Sequence, residues 1–214
     1  MIGDRLIQIY KKLLEHYSNQ HWWPAETRDE IVIGAVLTQN TAWKNVERAI
    51  ENLKRANLDT LMAIHQTKSS RIKECIKPAG FYNQKTQYLK NVARFFVENG
   101  GFEQLKKLDT PALRKKLLGV KGVGKETADS ILLYAFDRPI FVVDAYTKRL
   151  CQRHKLSEQL DYDSIQGLFM EHLDADPKLF NEYHALIVKN AKEHCRKKPI
   201  CKGCPLEEDL CLSD

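Results

Sequence analysis

Apolar residues along this 214-residue chain recur at helical steps almost throughout. Leu6, Ile7, Tyr10, Leu13, Leu14 and Tyr17 fall three and four apart, the stripe of an amphipathic helix. Ile31, Val32, Ala35 and Val36 repeat the pattern, followed by Val46, Ala49, Ile50 and Leu53. Further helices are predicted over 84–98, ending at Asn99-Gly100-Gly101, and over 111–118, with Thr110 as cap and Pro111 in the first turn. Others are predicted over 125–136, 145–154, 161–173 and 177–194, the last opening with Asp176-Pro177. The one strand-like stretch, "PIFVVD" from Pro139 to Asp144, is too short and solitary to build a sheet. The chain shows no internal repeat and no low-complexity linker, and the fold class predicted is all-α.

Composition narrows the picture. With 43% hydrophobic residues the chain can bury one core, or two small ones. A formal net charge of +6 favours a polyanionic partner such as nucleic acid or phosphate, and suits equally a basic but unspecialised protein. No apolar run reaches the roughly 20 residues that span a bilayer. The start, "MIGDRLIQIYKKLLEHY", is interrupted by acids and lysines and lacks the layout of a secretory leader. These features predict a cytoplasmic protein, nucleoid-associated in a prokaryote. In a reducing compartment disulfides are disfavoured, so the six cysteines need another role.

The helix over 111–118 runs into "GVKGVG", and a new helix opens near Lys125, the arrangement of a helix-hairpin-helix. Gly122 and Gly124 can adopt positive φ and let a phosphate approach the backbone around Val123. Backbone N–H groups and the start of the next helix would point at that phosphate, and Lys121 and Lys125 add charge without reading base sequence. A lone glycine pair would equally suit a tight helix–helix corner with surface lysines. What sharpens the motif is Asp144, following an apolar run and preceding a helix, where an acid can cap the helix and also do chemistry.

Near the C-terminus stands Cys195-x5-Cys201-x2-Cys204-x6-Cys211. Four thiolates so closely spaced suit one metal centre, either tetrahedral zinc or a [4Fe–4S] cluster, and spacing alone leaves both open. Cys75 and Cys151 stand apart and read as ordinary buried residues. Arg196, Lys197 and Lys198, between the first two ligands, form a second candidate phosphate contact.

Together these segments resemble the endonuclease III family of DNA glycosylases over nearly the whole chain. "VKGVGKETAD" looks like the family hairpin, "FVVDAYTKRL" like its catalytic segment, and "CKGCPLEEDLC" like its iron–sulfur loop. "GFYNQKTQYL" is similar to the family's G-x-Y-x-x-K helix start, and "LTQNT" to the segment that fills the duplex where a base has left. The resemblance implies two helical domains. A six-helix barrel carrying the hairpin would cover 20–132. An iron–sulfur domain would combine 1–19 with 133–214. Double-stranded DNA containing a damaged base would lie in the cleft between them, with Asp144 at its mouth, and no oligomer is implied. It also implies that the metal is [4Fe–4S], although the first and last cysteine gaps depart slightly from the family spacing. Gln39, with Asn40, would fill the vacated stack.

In the family's bifunctional members the residue two after the second hairpin glycine is a lysine that attacks the sugar. Here it is Glu126, and Lys125 one place earlier is turned away by about 100° on a helix. A carboxylate cannot form an imine, so the resemblance implies a monofunctional enzyme. Asp144 would then stabilise the sugar cation and orient water. Trp22 and Trp23 in "HWWPAE", with Trp43, are all the tryptophans in the chain. Each can be ordinary core, or together they can sandwich an extruded base. A cationic alkylpurine such as 3-methyladenine would gain roughly 0.5–2 kcal/mol from such stacking. The "WWP" and "LTQNT" segments also look like the 3-methyladenine glycosylase branch. Lys189 in "ALIVKNA" reads as a snorkelling stem or, with its charge masked, a pocket wall. His184 and His194 read as structural or surface groups. The alternatives are a glycosylase with lyase activity on oxidised pyrimidines, using Lys121 or Lys125, and a non-catalytic damage-binding module.

Overall fold

The computed structural model describes residues 1–209. Among the described residues the regular structure is helical throughout: α1 (Ile2–Tyr17), α2 (Arg28–Leu37), α3 (Trp43–Arg55), α4 (Leu61–Gln66), α5 (Ser69–Ile76), α6 (Tyr82–Glu98), α7 (Gly101–Leu105), α8 (Thr110–Leu118), α9 (Lys125–Ser130), α10 (Ala145–Arg153), α11 (Tyr162–His172) and α12 (Pro177–Glu193). A π-helical stretch, Ile131–Ala135, prolongs α9, and 3-10 turns occupy Lys77–Ala79 and Glu207–Asp209. No helix among the described residues is long and apolar enough to cross a membrane.

The chain divides into two compact units, one made of Met1–Pro24 with Pro139–Asp214 and the other of Ala25–Arg138. The expected boundaries at 20 and 132 fall a few residues before these. In the first unit α1 and α10 pack on α12, and α11 packs on α1. Leu6, Ile9 and Leu13 of α1 are buried at the three- and four-residue spacing read from the sequence. They face an aromatic core in which Phe141 stacks on Phe169 at 4.0 Å, with Phe180 and Tyr183 edge-on to Phe141. The strand-like segment threads this core as irregular chain, Ile140 to Val143 all buried. A buried backbone without a ladder needs other partners. Gln166 Nε2 donates to the Phe141 carbonyl at 2.6 Å, and the Val143 N–H reaches the Tyr162 hydroxyl at 3.5 Å.

In the second unit α2 packs against Ile131–Ala135, α3 against α5, and α6 against α4 and α5. Its core includes Val32, Val36, Val46, Leu53, Ile64, Ile72, Leu89 and Leu117, each with no solvent exposure. Lys85 lies in this core at 2% exposure, its amine donating to the Leu37 and Ala79 carbonyls at 2.8 Å each. The start of α8 corrects the predicted cap. Asp109, not Thr110, caps the helix, its Oδ1 accepting from the Ala112 N–H at 2.7 Å, and Thr110 is already helical.

Candidate DNA-binding and catalytic residues

The second unit carries the hairpin. Its two helices are locked by Arg114 of α8, which donates from Nε and Nη2 to the two oxygens of Asp129 of α9 at 2.6 and 2.9 Å. Asp129 has no solvent exposure, so this bidentate pair is of the strong, geometry-fixing kind. Gly122 takes a φ of +102°, and a Cβ there would strike the Tyr88 ring at 2.2 Å. Gly124 departs from expectation. Its φ is −92° with extended backbone, and nothing lies within 4 Å of where its Cβ would stand. The fold does not require glycine there, whereas close approach of a ligand would. Lys121, Gly124, Lys125 and Glu126 are exposed. Val123 turns its side chain into the core at 7% exposure, so only its backbone is on offer.

Gln39 is brought to this hairpin. Its amide donates to the Gly122 carbonyl and to Thr127 Oγ1, both at 3.0 Å. The turn it occupies is held from behind: Lys85 fastens the Leu37 carbonyl beside that of Ala79. Two short stubs therefore leave one point, Thr38–Asn40 and Gly80–Phe81. Asn40 is exposed with φ 52°, and Phe81 is 65% exposed with φ 44°. A large bare ring beside the plug segment is a feature the sequence reading passed over. Asn91 Nδ2 completes the bracing by donating to the Lys121 carbonyl at 2.9 Å, so α6 supports both segments. Trp43 opens α3, half-buried.

The first unit carries Asp144, the N-cap of α10. Its Oδ1 accepts from the N–H groups of Tyr146 and Thr147 at 2.9 and 2.8 Å and from Thr147 Oγ1 at 3.1 Å. Its Oδ2 lies 3.6 Å from His184 Nε2 of α12, with side-chain exposures of 14% for Asp144 and 8% for His184. Burial alone would push the Asp144 carboxyl up. The nearby His184 imidazole and the Thr147 donors outweigh it and hold the group below the usual carboxylate range. Asp144 is thus ionised at neutral pH. His184, expected to be structural, is part of this site. In sequence the two stand forty positions apart, and no local pattern links them.

Trp22 and Trp23 are half-buried in the same unit, their rings 5.3 Å apart and tilted by 59°. Lys189 pairs with Glu193 at 2.6 Å and stands 5.9 Å over the Tyr17 ring. The two side chains are 41% and 42% exposed, as a snorkelling stem on a helix face would be.

Three of the predicted metal ligands are described. Cys195 and Cys204 are buried and Cys201 is partly exposed. Cys211 lies outside the described residues. Among the described residues no three His, Cys, Asp or Glu side chains are drawn together tightly enough to chelate. The donor chemistry nevertheless fits a thiolate-bound cluster. Burial pushes the Cys204 thiol up, and the nearby Cys195 and Cys201 sulfurs add to the push, so a cation there would be welcome. Arg153 Nη1 donates to Cys195 Sγ at 3.1 Å, the hydrogen bond expected behind a ligating sulfur. The same guanidinium, 8% exposed, grips the Arg196 and Lys197 carbonyls at 2.7 and 3.0 Å. Arg153 therefore fixes the loop on which the exposed side chains of Arg196, Lys197 and Lys198 stand.

Comparison with known proteins bears on the family and the fold. A 3-methyladenine DNA glycosylase structure from H. pylori, bound to 1,N6-ethenoadenine, is 32% identical, covering 90% of this chain and 97% of that one with a TM-score of 0.77. An endonuclease III–DNA covalent intermediate shares the fold at a TM-score of 0.80, with 17% identity over 98% of this chain and 95% of that one. A protein from Methanocaldococcus jannaschii, provisionally named a DNA repair glycosylase, is 54% identical over 214 residues, 98% of this chain and 97% of its own length. Residues 33–174, which contain the plug turn, the hairpin and Asp144, match the HhH-GPD superfamily base excision DNA repair protein family, and the chain belongs to that superfamily.

Proposed function

We propose that this protein is a monofunctional DNA glycosylase that removes a flipped, alkylated purine such as 3-methyladenine from double-stranded DNA. The observation that carries the reading is the Asp144 carboxylate, ionised, 14% exposed and rigidly seated. When the N-glycosidic bond breaks, its electron pair leaves on the base and the sugar becomes oxocarbenium-like. A preorganised carboxylate stabilises that cation, with an effect of about 3 kcal/mol or more. Water then adds to C1′ and gives up its proton to the carboxylate. A cationic alkylpurine departs neutral, so little acid catalysis is needed. Glu126 stands exposed where a lyase would carry its amine, and a carboxylate cannot form an imine.

The target base is extruded at a cost of a few kcal/mol. The hairpin backbone with Lys121 and Lys125, and the Arg196–Lys198 loop, grip phosphates. Gln39 leaves its berth on the hairpin to fill the gap, with Asn40 and Phe81 beside it. Trp22, Trp23 and Trp43 are the candidate aromatic faces for the base, and Lys189, paired with Glu193, is a candidate contact. The alkylpurine assignment draws support from the H. pylori relative, whose bound ligand is itself a modified adenine. Cys195, Cys201 and Cys204, with Cys211, would hold a [4Fe–4S] cluster, whose contribution would be to help shape the basic loop.

The test offers methylated, oxidised and mismatched duplexes side by side and identifies the freed base by mass. Methylated purines are expected, and Asp144→Asn should reduce their release at least a hundredfold. Borohydride on abasic DNA should trap no covalent adduct. A strong adduct, or full activity in Asp144→Asn, overturns the reading.

A further inference from the structure

The two oxygens of Asp144 have different work. Oδ1 is consumed by three donors that also start α10, Tyr146 N, Thr147 N and Thr147 Oγ1. Swinging it toward a substrate would uncap the helix. Oδ2 is left to face chemistry, and the side chain found against it is the imidazole of His184, Nε2 at 3.6 Å. That ring cannot readily swing away. It is 8% exposed and rides mid-helix on α12 among buried Tyr183, Ala185, Leu186 and Ile187. The helix in turn is fastened by the Tyr183 hydroxyl donating to the Leu6 carbonyl at 2.8 Å.

We propose that His184 is a positioning residue for the glycosidic reaction, fixing the aim of Asp144 Oδ2. The inference rests on Asp144 being the carboxylate that faces the sugar. With Oδ1 anchored, the carboxylate can still pivot about that anchor, and an N–H directed at Oδ2 removes this freedom. The present separation is slightly beyond hydrogen-bond length, and such contacts commonly tighten when substrate is bound. Precision here matters, because a misplacement of about 1 Å can lower a rate about a hundredfold.

The experiment measures single-turnover release of 3-methyladenine from methylated duplex, together with DNA affinity and thermal unfolding. His184→Gln places an amide N–H near the position of Nε2, whereas His184→Asn does not reach it. His184→Asn is expected to slow release tenfold to a hundredfold with DNA affinity within about twofold, and His184→Gln to recover most of the rate. In an Asp144→Asn background the His184→Asn change should add no further loss, because the residue acts through Asp144. A merely structural histidine would give Gln and Asn variants of equal rate, or losses that multiply in the double variant, and either result overturns the proposal. Failure of the underlying assignment looks different: Asp144→Asn alone would then keep the wild-type rate.

Discussion

Gly122 and Gly124 stand two residues apart in one hairpin, and an alanine at each should have opposite consequences. At Gly122 the new methyl group would sit 2.2 Å from Cδ1 and 2.3 Å from Cγ of Tyr88. The atoms met are at the near end of the ring, next to its own Cβ, so a small shift of the hydroxyl end does not clear them. Overpacking of this kind costs about 1–3 kcal/mol. The φ of +102° adds a backbone penalty of about 1–2 kcal/mol for an L-residue, giving about 2–5 kcal/mol in total. At Gly124 φ is −92° and the space beyond the Cβ is open. Alanine there should leave stability unchanged or raise it by about 0.4–1 kcal/mol by restricting the unfolded chain. DNA affinity should nevertheless fall about tenfold or more, because the methyl group stands where a phosphate would accept charge-assisted backbone bonds. Urea unfolding and fluorescence titration of an abasic duplex measure the two quantities. Tyr88→Ala in the Gly122→Ala background should recover the steric part of the loss and leave the φ part. A Gly122→Ala protein as stable as wild type refutes the packing argument, and a Gly124→Ala protein that binds DNA normally refutes the phosphate approach.

Lys85 should make stability depend on alkaline pH. Burial pushes its amine down to about 8 from 10.5, so between those values the unfolded chain holds the proton that the folded chain has shed. Stability therefore rises with pH across that window, by at most about 3 kcal/mol. The neutral amine keeps two N–H groups for the two carbonyls it serves. The gap in urea midpoint between wild type and Lys85→Met should widen in favour of wild type from pH 7.5 to pH 10, and a constant gap refutes the argument. Iron and sulfide assays on anaerobically purified protein should find four of each per chain, with Cys204→Ala losing them. Zinc in their place would leave the loop argument intact and remove the cluster.

Helices whose stripe is long were readable from the chain, because burial of one face leaves a period that composition cannot hide. Asp144 as a cap was readable for the same local reason. What the chain concealed was set by distance in sequence. His184 and Arg153 act on groups forty or more positions away, and neither neighbourhood advertises it. The π stretch Ile131–Ala135 is apolar on every side, so its period carries no information about the turn. "PIFVVD" looked like a strand because it is buried on both faces, and side chains rather than a neighbouring strand satisfy it. The expectation of positive φ at Gly124 fails because glycine is usually explained by conformation, and here the backbone is extended with open space where a Cβ would stand.

The order of the two units along the chain has a consequence for synthesis on the ribosome. Residues 25–138 are contiguous and can complete their own core as soon as they emerge. The first helix cannot do so. Its apolar stripe of Leu6, Ile9 and Leu13 must wait for α12, made more than 150 residues later, whose Tyr183 hydroxyl captures the Leu6 carbonyl. At about 5–20 residues per second that wait lasts roughly ten to thirty seconds. The nascent chain thus carries α1 with its apolar stripe uncovered while residues 25–138 are already folded, and it is during this interval that a holding chaperone would protect it.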